Sequence, residues 1–254
     1  MSAAPPPYNP EAWGALVDPL SGDLAGAAFR RALELVEREV LSSAKMGSRW
    51  LDVGCGVGNL AARLAAGGLE CIGVDLQLSM LLAARSRCAR IPRVRLIVGD
   101  AVLLPFAGGS REGVSAVSVL GGLAQPEFFF RDAARVLTPG GAFWISATNA
   151  LSWSVRASGL LELLPRAPAL ESGVGGPRRF RPWRASDLAQ ALARSGFLVE
   201  RFITFAHLPP RQFRTAASIV RATSRERVYT HPPLALSARN FLVLARRHVS
   251  RSQD

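Results

Sequence analysis

Lysine is nearly missing from this chain. Of its 31 Lys and Arg residues only Lys45 is a lysine, so the formal net charge of +12 is carried by arginine. Basic charge favours contact with nucleic acid or anionic surfaces. Arginine usage this lopsided, alongside abundant Ala, Gly, Leu and Pro, also fits a GC-rich genome that scatters arginine over a solvated surface, and the composition favours that reading. Cysteine is scarce and odd in number: Cys55, Cys71 and Cys88. Three thiols build no disulfide framework, their spacing matches no zinc pattern, and they suggest reduced cysteines in a cytosol. No metal site is expected. Histidine is limited to His207, His231 and His248, all late in the chain. No apolar run nears the roughly 18 residues of a membrane-spanning helix. Met1 to Pro10 lacks a charged stretch followed by an apolar one, which predicts no signal peptide and a cytoplasmic location. No internal repeat is visible. What remains is 49% hydrophobic over 254 residues, enough for one α/β domain with a sizeable core.

The most informative stretch is Trp50-Leu51-Asp52-Val53-Gly54-Cys55-Gly56-Val57-Gly58-Asn59-Leu60. Trp50, Leu51 and Val53 favour a strand. Gly54, Gly56 and Gly58 permit a sharp turn and close backbone approach to a ligand. Leu60, Ala61, Leu64 and Ala65 recur at helical spacing, so a helix N-terminus faces the turn. The dinucleotide pattern G-x-G-x-x-G requires glycine where Asn59 stands.

The chain then alternates. Strands are predicted at Leu69 to Val74, Val94 to Val98, Val114 to Leu120 and Ala142 to Ser146, with helices at Ser79 to Ala89 and Glu127 to Leu137 between them. Ser79 is a candidate N-cap. Such alternation implies βαβ units and a mainly parallel sheet. An amphipathic helix, Phe29 to Leu41, precedes them, with Ala32, Leu33, Val36 and Val40 on one face. Later come helices at Leu151 to Leu164, Ser186 to Ser195 (Ser186 as N-cap) and Gln212 to Ala222. Strands are expected at Phe197 to Phe205 and Asn240 to Ala245.

Parallel sheets bind ligands at the carboxyl ends of their strands. Three chemical signals fall there. The glycine turn is the first. Asp75 is the second, 21 residues after Gly54, at the offset of an acid that accepts hydrogen bonds from ribose hydroxyls. Asp100-Ala101 is the third: the carboxylate can accept from the exocyclic amine of adenine, and the Ala101 amide can donate to a ring nitrogen. Taken singly, Asp75 and Asp100 also suit ordinary capping and Asx turns.

The order Asp-x-Gly-x-Gly-x-Gly resembles motif I of the class I S-adenosylmethionine (SAM)-dependent methyltransferases. Gly99-Asp100-Ala101-x-x-Leu104-Pro105-Phe106, Arg135 to Gly141, and Ser186-Asp187-Leu188 through Phe197 resemble further segments of that family. The nearest flavour is the ubiquinone/menaquinone-biosynthesis type of small-molecule methyltransferase. The resemblance implies a Rossmann-like, mainly parallel seven-stranded sheet flanked by helices. It implies SAM as methyl donor, with Gly54, Gly56 and Val57 at the methionine portion, Asp75 at the ribose, Asp100 and Ala101 at the adenine, and the backbone of Leu120 at the amino group. Leu76 and Leu103 would sandwich the ring, and Asp52 would support the turn through hydrogen bonds. Residues 1–48 would form a leading segment and 49–249 the methyltransferase domain, with a substrate or lid insertion at about 150–185.

Two departures bear on chemistry. Gly113-Val114-Ser115 replaces the aromatic-Asp pair that many relatives carry at the start of the fourth strand, and Gly121-Gly122 replaces a histidine pair. No catalytic residue is assigned; His207, after the sixth strand, is the best placed histidine. Arg179, Arg181 and Trp183, in a loop of alternating arginines and aromatics, are candidates for acceptor recognition. The expected activity is methyl transfer to O, C or N of a small organic acceptor. An RNA methyltransferase and a non-catalytic SAM-binding protein are the alternatives; the sequence names neither the acceptor nor an oligomeric state.

Overall fold

The computed structural model describes residues 24–152, 182–207, 227–228 and 238–248. Expectations for the body of the 151–164 helix, for 212–222, and for Arg179, Arg181 and His231 lie outside the described residues.

Eight strands form one sheet in the order β3-β2-β1-β4-β5-β8-β6-β7. They are β1 Arg49–Val53, β2 Glu70–Asp75, β3 Val94–Val98, β4 Arg111–Ala116, β5 Leu137–Thr148, β6 Phe197–His207, β7 Arg227–Val228 and β8 Ala238–Arg247. The first five pair in parallel, and β8 runs antiparallel between β5 and β6. Seven strands were expected; the eighth, β7, is a two-residue addition at the β6 edge. β5 also starts earlier than expected, because Thr138 to Gly141 stay within the strand, where Gly140 adopts φ 75° and β4 is bulged between Arg111 and Gly113.

Five described helices cover the two faces. On one face lie α1 (Leu24–Ser43), α2 (Asn59–Ala66) and α3 (Leu78–Cys88). On the other lie α4 (Pro126–Val136) and α5 (Ala185–Arg194). The periodicity that predicts α1 buries Ala32, Leu33, Leu35, Val36 and Val40 against Leu60, Leu64, Trp144 and Phe205. On the opposite face Phe129, Phe130, Leu188 and Leu192 pack on Phe143, Ile145 and Val243. Phe143 stacks on Phe197 at 4.9 Å. Each fully buried side chain of this size contributes roughly 1.5–3 kcal/mol.

The expected serine caps are not used. α3 begins after Gln77 and α5 after Arg184, each without a side-chain cap bond. At α3 the helix begins at Leu78, which puts Ser79 inside the first turn, while Asp75 accepts the Gln77 amide just before it at 2.9 Å. Among the described residues no helix is long and apolar enough to cross a membrane.

Candidate active site

The parallel register carries the ends of β1 to β5 to one edge. The turn after β1 is fixed from below by β2, where the Val74 carbonyl accepts from the amides of Gly54 (2.7 Å) and Cys55 (3.0 Å). Gly54, Gly56 and Gly58 all adopt positive φ, which only glycine accommodates without strain. Their surroundings differ. A Cβ on Gly54 would lie 2.5 Å from Val119 Cγ2, and one on Gly58 would press Ala84 and Cys88 at 3.1 Å. A Cβ on Gly56 would meet nothing within 4 Å. Gly54 and Gly58 thus serve packing, while Gly56 lies beside open space.

Asp75 closes β2 next to that space. Its Oδ2 accepts the Gly56 amide at 2.8 Å and its Oδ1 accepts the Gln77 amide, so one carboxylate ties the turn to the start of α3. Burial raises its pKa, and the backbone amides of Gln77, Gly56 and Leu76 oppose the shift. Asp100 forms an Asx turn, accepting the Val102 amide at 3.1 Å, and Ala101 follows within it. Leu76 (59% exposed) and Leu103 (75% exposed) extend from the segments that follow β2 and β3. Single exposed leucines are ordinary on a protein surface; what sets these two apart is their place at the carboxyl ends of β2 and β3.

Behind β4 the chain is constrained. Ser118 is the one non-glycine described residue with positive φ (61°), and its amide donates to Ser146 Oγ at 2.8 Å. That geometry swings Val119 onto Gly54 and leads into a 3-10 turn, Leu120–Gly122. The Leu120 side chain is buried, and its carbonyl accepts the Leu123 amide.

Asp52, 3% exposed, lies beneath the turn. Its Oδ2 accepts the Ala61 amide in the first turn of α2 at 3.1 Å, and its Oδ1 lies 3.2 Å from the Ser115 hydroxyl. Burial pushes its pKa up to about 7, opposed by Ser115 and the Ala61 amide, with Asp75 adding a smaller upward push. Burial also raises the pKa of the thiols of Cys55, Cys71 and Cys88, which are free and buried.

Two groups escaped sequence reasoning. Ser115 lies 63 residues from Asp52, and only the β1–β4 register, which pairs them, reveals the contact. On α4, Asp132 and Arg135 clasp the loop after β3. Asp132 accepts the Leu104 amide at 2.5 Å, while Arg135 donates to the carbonyls of Leu104 (2.8 Å) and Phe106 (2.6 Å). Arg135 was visible only as part of a family-like segment.

Of the acceptor candidates, Trp183 is described. It is buried against Phe130 at 6.2 Å, and its amide donates to the Thr148 carbonyl at the end of β5. His248 lies at the opposite edge of the sheet, its amide donating to the Gly196 carbonyl before β6. A surface hollow of about 480 Å³ between Met46, Gly68 and Arg93 is also at that far edge and away from the turn.

Comparison with known proteins agrees with this geometry. Residues 51–145 match the family described as a methyltransferase domain. The demethylmenaquinone methyltransferase of Tropheryma whipplei is 39% identical over 97 residues, covering 37% of this chain and 39% of that protein. The chain therefore spans about two fifths of the length of that relative. The demethylmenaquinone methyltransferase of a Parafrankia species is 28% identical over 197 residues, 68% of this chain and 78% of the relative. Among solved structures, magnesium protoporphyrin IX methyltransferase from Synechocystis with bound S-adenosylhomocysteine (SAH) superposes with a TM-score of 0.66 at 16% identity, covering 93% of each chain.

Residues 51–145 thus match a methyltransferase domain, and the fold around them is shared with solved SAM-dependent methyltransferases. Within that class the chain is similar to the demethylmenaquinone methyltransferases.

Proposed function

We propose that this chain transfers the methyl group of SAM to O, C or N of a small organic acceptor, in the cytoplasm. The reading rests on one observation above all: the Asp75 carboxylate, at the end of β2, is bonded to Gly56 beside open space at the strand edge. The residues there suit the cofactor. Gly54, Gly56 and Val57 would hold its methionine portion, Asp75 its ribose, and Asp100 and Ala101 its adenine. Leu76 and Leu103 would flank the ring, the Leu120 backbone would meet the amino group, and Asp52 would support the turn. The sulfonium supplies an already activated methyl group.

What the protein adds is orientation and exclusion of water, which can contribute ~7–11 kcal/mol. Exposed Leu76 and Leu103 can remove water once covered, and the clasped loop after β3 fixes one wall. No general base is assigned.

We further propose that the domain runs over 49–249 after a leading segment 1–48, and that the insertion at about 150–185 serves the acceptor. In support, the Trp183 amide and carbonyl bond Thr148 and Ala150 at the same strand edge. Arg179 and Arg181 would meet an anionic or aromatic acceptor, with Trp183 as the anchor of their segment. The names of the relatives make demethylmenaquinone the first acceptor to try.

An RNA acceptor is not favoured. Among the described residues Arg49, Arg63, Arg201 and Arg246 pair with Glu112, Glu37, Glu39 and Glu200, so the charge of these four arginines is met locally.

Calorimetry with SAM, SAH and NAD tests the cofactor, and a labelled-SAM assay over quinols, phenols and amines tests the acceptor. Binding of SAM and SAH without NAD is the expected result. Binding of NAD alone, or of none, would remove the catalytic reading.

A further inference from the structure

We propose that Ser115 and Trp50 are positioning residues that hold the Asp52 carboxylate as a buried negative charge beneath the glycine turn, where it favours the cationic methyl donor over its neutral product. The inference rests on the cofactor reading above.

The geometry is a relay across two strands. The register sets Trp50 opposite Gly113 and Asp52 opposite Ser115. Trp50 fills the space above Gly113, where a Cβ would come within 2.1–2.3 Å of its ring. That seating brings the indole Nε1 to 3.2 Å from Ser115 Oγ, to which it donates. The serine hydroxyl then has two acceptors, the Leu51 carbonyl and Asp52 Oδ1, each at 3.2 Å. With Asp52 ionised, Ser115 donates to the carboxylate. With Asp52 protonated, Ser115 can turn its proton to Leu51 and accept from the carboxyl. Both states keep Trp50 satisfied, so the serine serves either charge on Asp52 without an orphaned polar group.

The ionised state is the consequential one. Asp52 also accepts from the first turn of α2, so its charge bears on the helix end that faces the turn. The ionisable groups that face it are Asp75 and Cys71 of β2, Cys55 of the turn and Cys88 of α3. They are acids or thiols, so none neutralises the carboxylate. SAM carries a net positive charge and SAH does not. SAM is therefore the ligand that gains from an ionised Asp52.

The test combines calorimetry of SAM and SAH from pH 5.5 to 8.5 with a carbon-NMR titration of the aspartate carboxyls. In the wild type, SAM should tighten about tenfold across the window while SAH changes much less. In Ser115→Ala the Asp52 midpoint should move up by about one pH unit, and the SAM profile should move with it. Trp50→Phe, which removes the indole N–H together with part of the ring volume, should shift both the same way by less, and it gives a second reading if Ser115→Ala does not fold. Asp52→Asn should abolish the pH step.

An unmoved Asp52 midpoint in folded Ser115→Ala and Trp50→Phe would overturn the relay. A moved midpoint with an unchanged SAM to SAH ratio would overturn the discrimination. Absence of SAM and SAH binding at every pH would instead overturn the cofactor reading, while the NMR titration would still report on the relay.

Discussion

At the scale of the residue, one turn separates two uses of glycine. Gly54 and Gly56 both hold positive φ, so alanine at either costs backbone strain of about 1 kcal/mol. At Gly54 the new methyl would also collide with Val119, which Ser118 and Ser146 hold in place. At Gly56 it would enter the open space beside Asp75. Gly54→Ala should therefore lower Tm clearly more than Gly56→Ala, and Gly56→Ala should lose SAM affinity beyond what its small change in Tm explains. Thermal melts and calorimetry on the pair check both halves. Asp75→Ala goes further, because it unties the turn from α3 as well as removing the ribose partner. SAM binding should weaken by ~1–3 kcal/mol, the range for losing a charged hydrogen-bond partner. An affinity equal to wild type by calorimetry would remove Asp75 from the cofactor site.

At the scale of the element, the loop after β3 is held by a helix that arrives about 30 residues later. The Asp132–Arg135 pair, one turn apart on α4 and 2.6 Å from each other, closes three bonds to the loop backbone. Hydrogen bonds to charged groups contribute about 1.5–3 kcal/mol each when well formed, although Arg135 is partly exposed and its share is screened. Arg135→Ala should raise amide exchange over residues 100–109 and weaken SAM through Asp100, Ala101 and Leu103, leaving exchange in β1 and β2 unchanged. Uniform loosening of the sheet would show a general loss of stability instead.

This clasp also marks where sequence stops being legible. Strands β1 to β5 could be read because each carries apolar residues near Gly, Asp or Pro, buried in β1, β2, β4 and β5 and half-buried or exposed in β3 at the sheet edge, and the glycine turn could be read because its residues are contiguous. Asp75 and Asp100 were legible because strand ends follow one another at a regular offset. The helix starts differ from Ser79 and Ser186 because α3 begins at Leu78 and α5 at Ala185, after Gln77 and Arg184, neither of which makes a side-chain cap. Ser115 was noted only as a departure from a family pattern. Its role depends on pairing with Asp52 across β1 and β4, and register is a tertiary fact that no local pattern encodes.

At the scale of the whole molecule, Asp52 sets stability and binding against each other. An aspartate whose pKa rises from 3.8 to about 7 on folding binds more protons in the native chain than in the unfolded one. Its contribution therefore favours folding below the unfolded pKa and is progressively lost as pH climbs from about 4 to 7, by ~1.4 kcal/mol per unit. Asp75, raised by burial, acts in the same direction, whereas Glu112, lowered by Arg49, acts oppositely and only weakly because it is exposed. The free protein should melt at a higher temperature at pH 5 than at pH 8. Asp52→Asn keeps an acceptor for Ala61 and places an amide donor toward Ser115, so it should flatten that difference and exceed the wild type in Tm at pH 8. Ligand binding should run the other way, because a cationic donor favours the ionised carboxylate and a ligand stabilises the fold in proportion to how tightly it binds the native state. At saturating concentration SAM should thus raise Tm more at pH 8 than at pH 5.5, and SAH should raise it nearly equally at both. A SAM-induced rise that is independent of pH, in a protein whose own melting still falls with pH, would mean that Asp52 titrates with the fold but does not sense the cofactor.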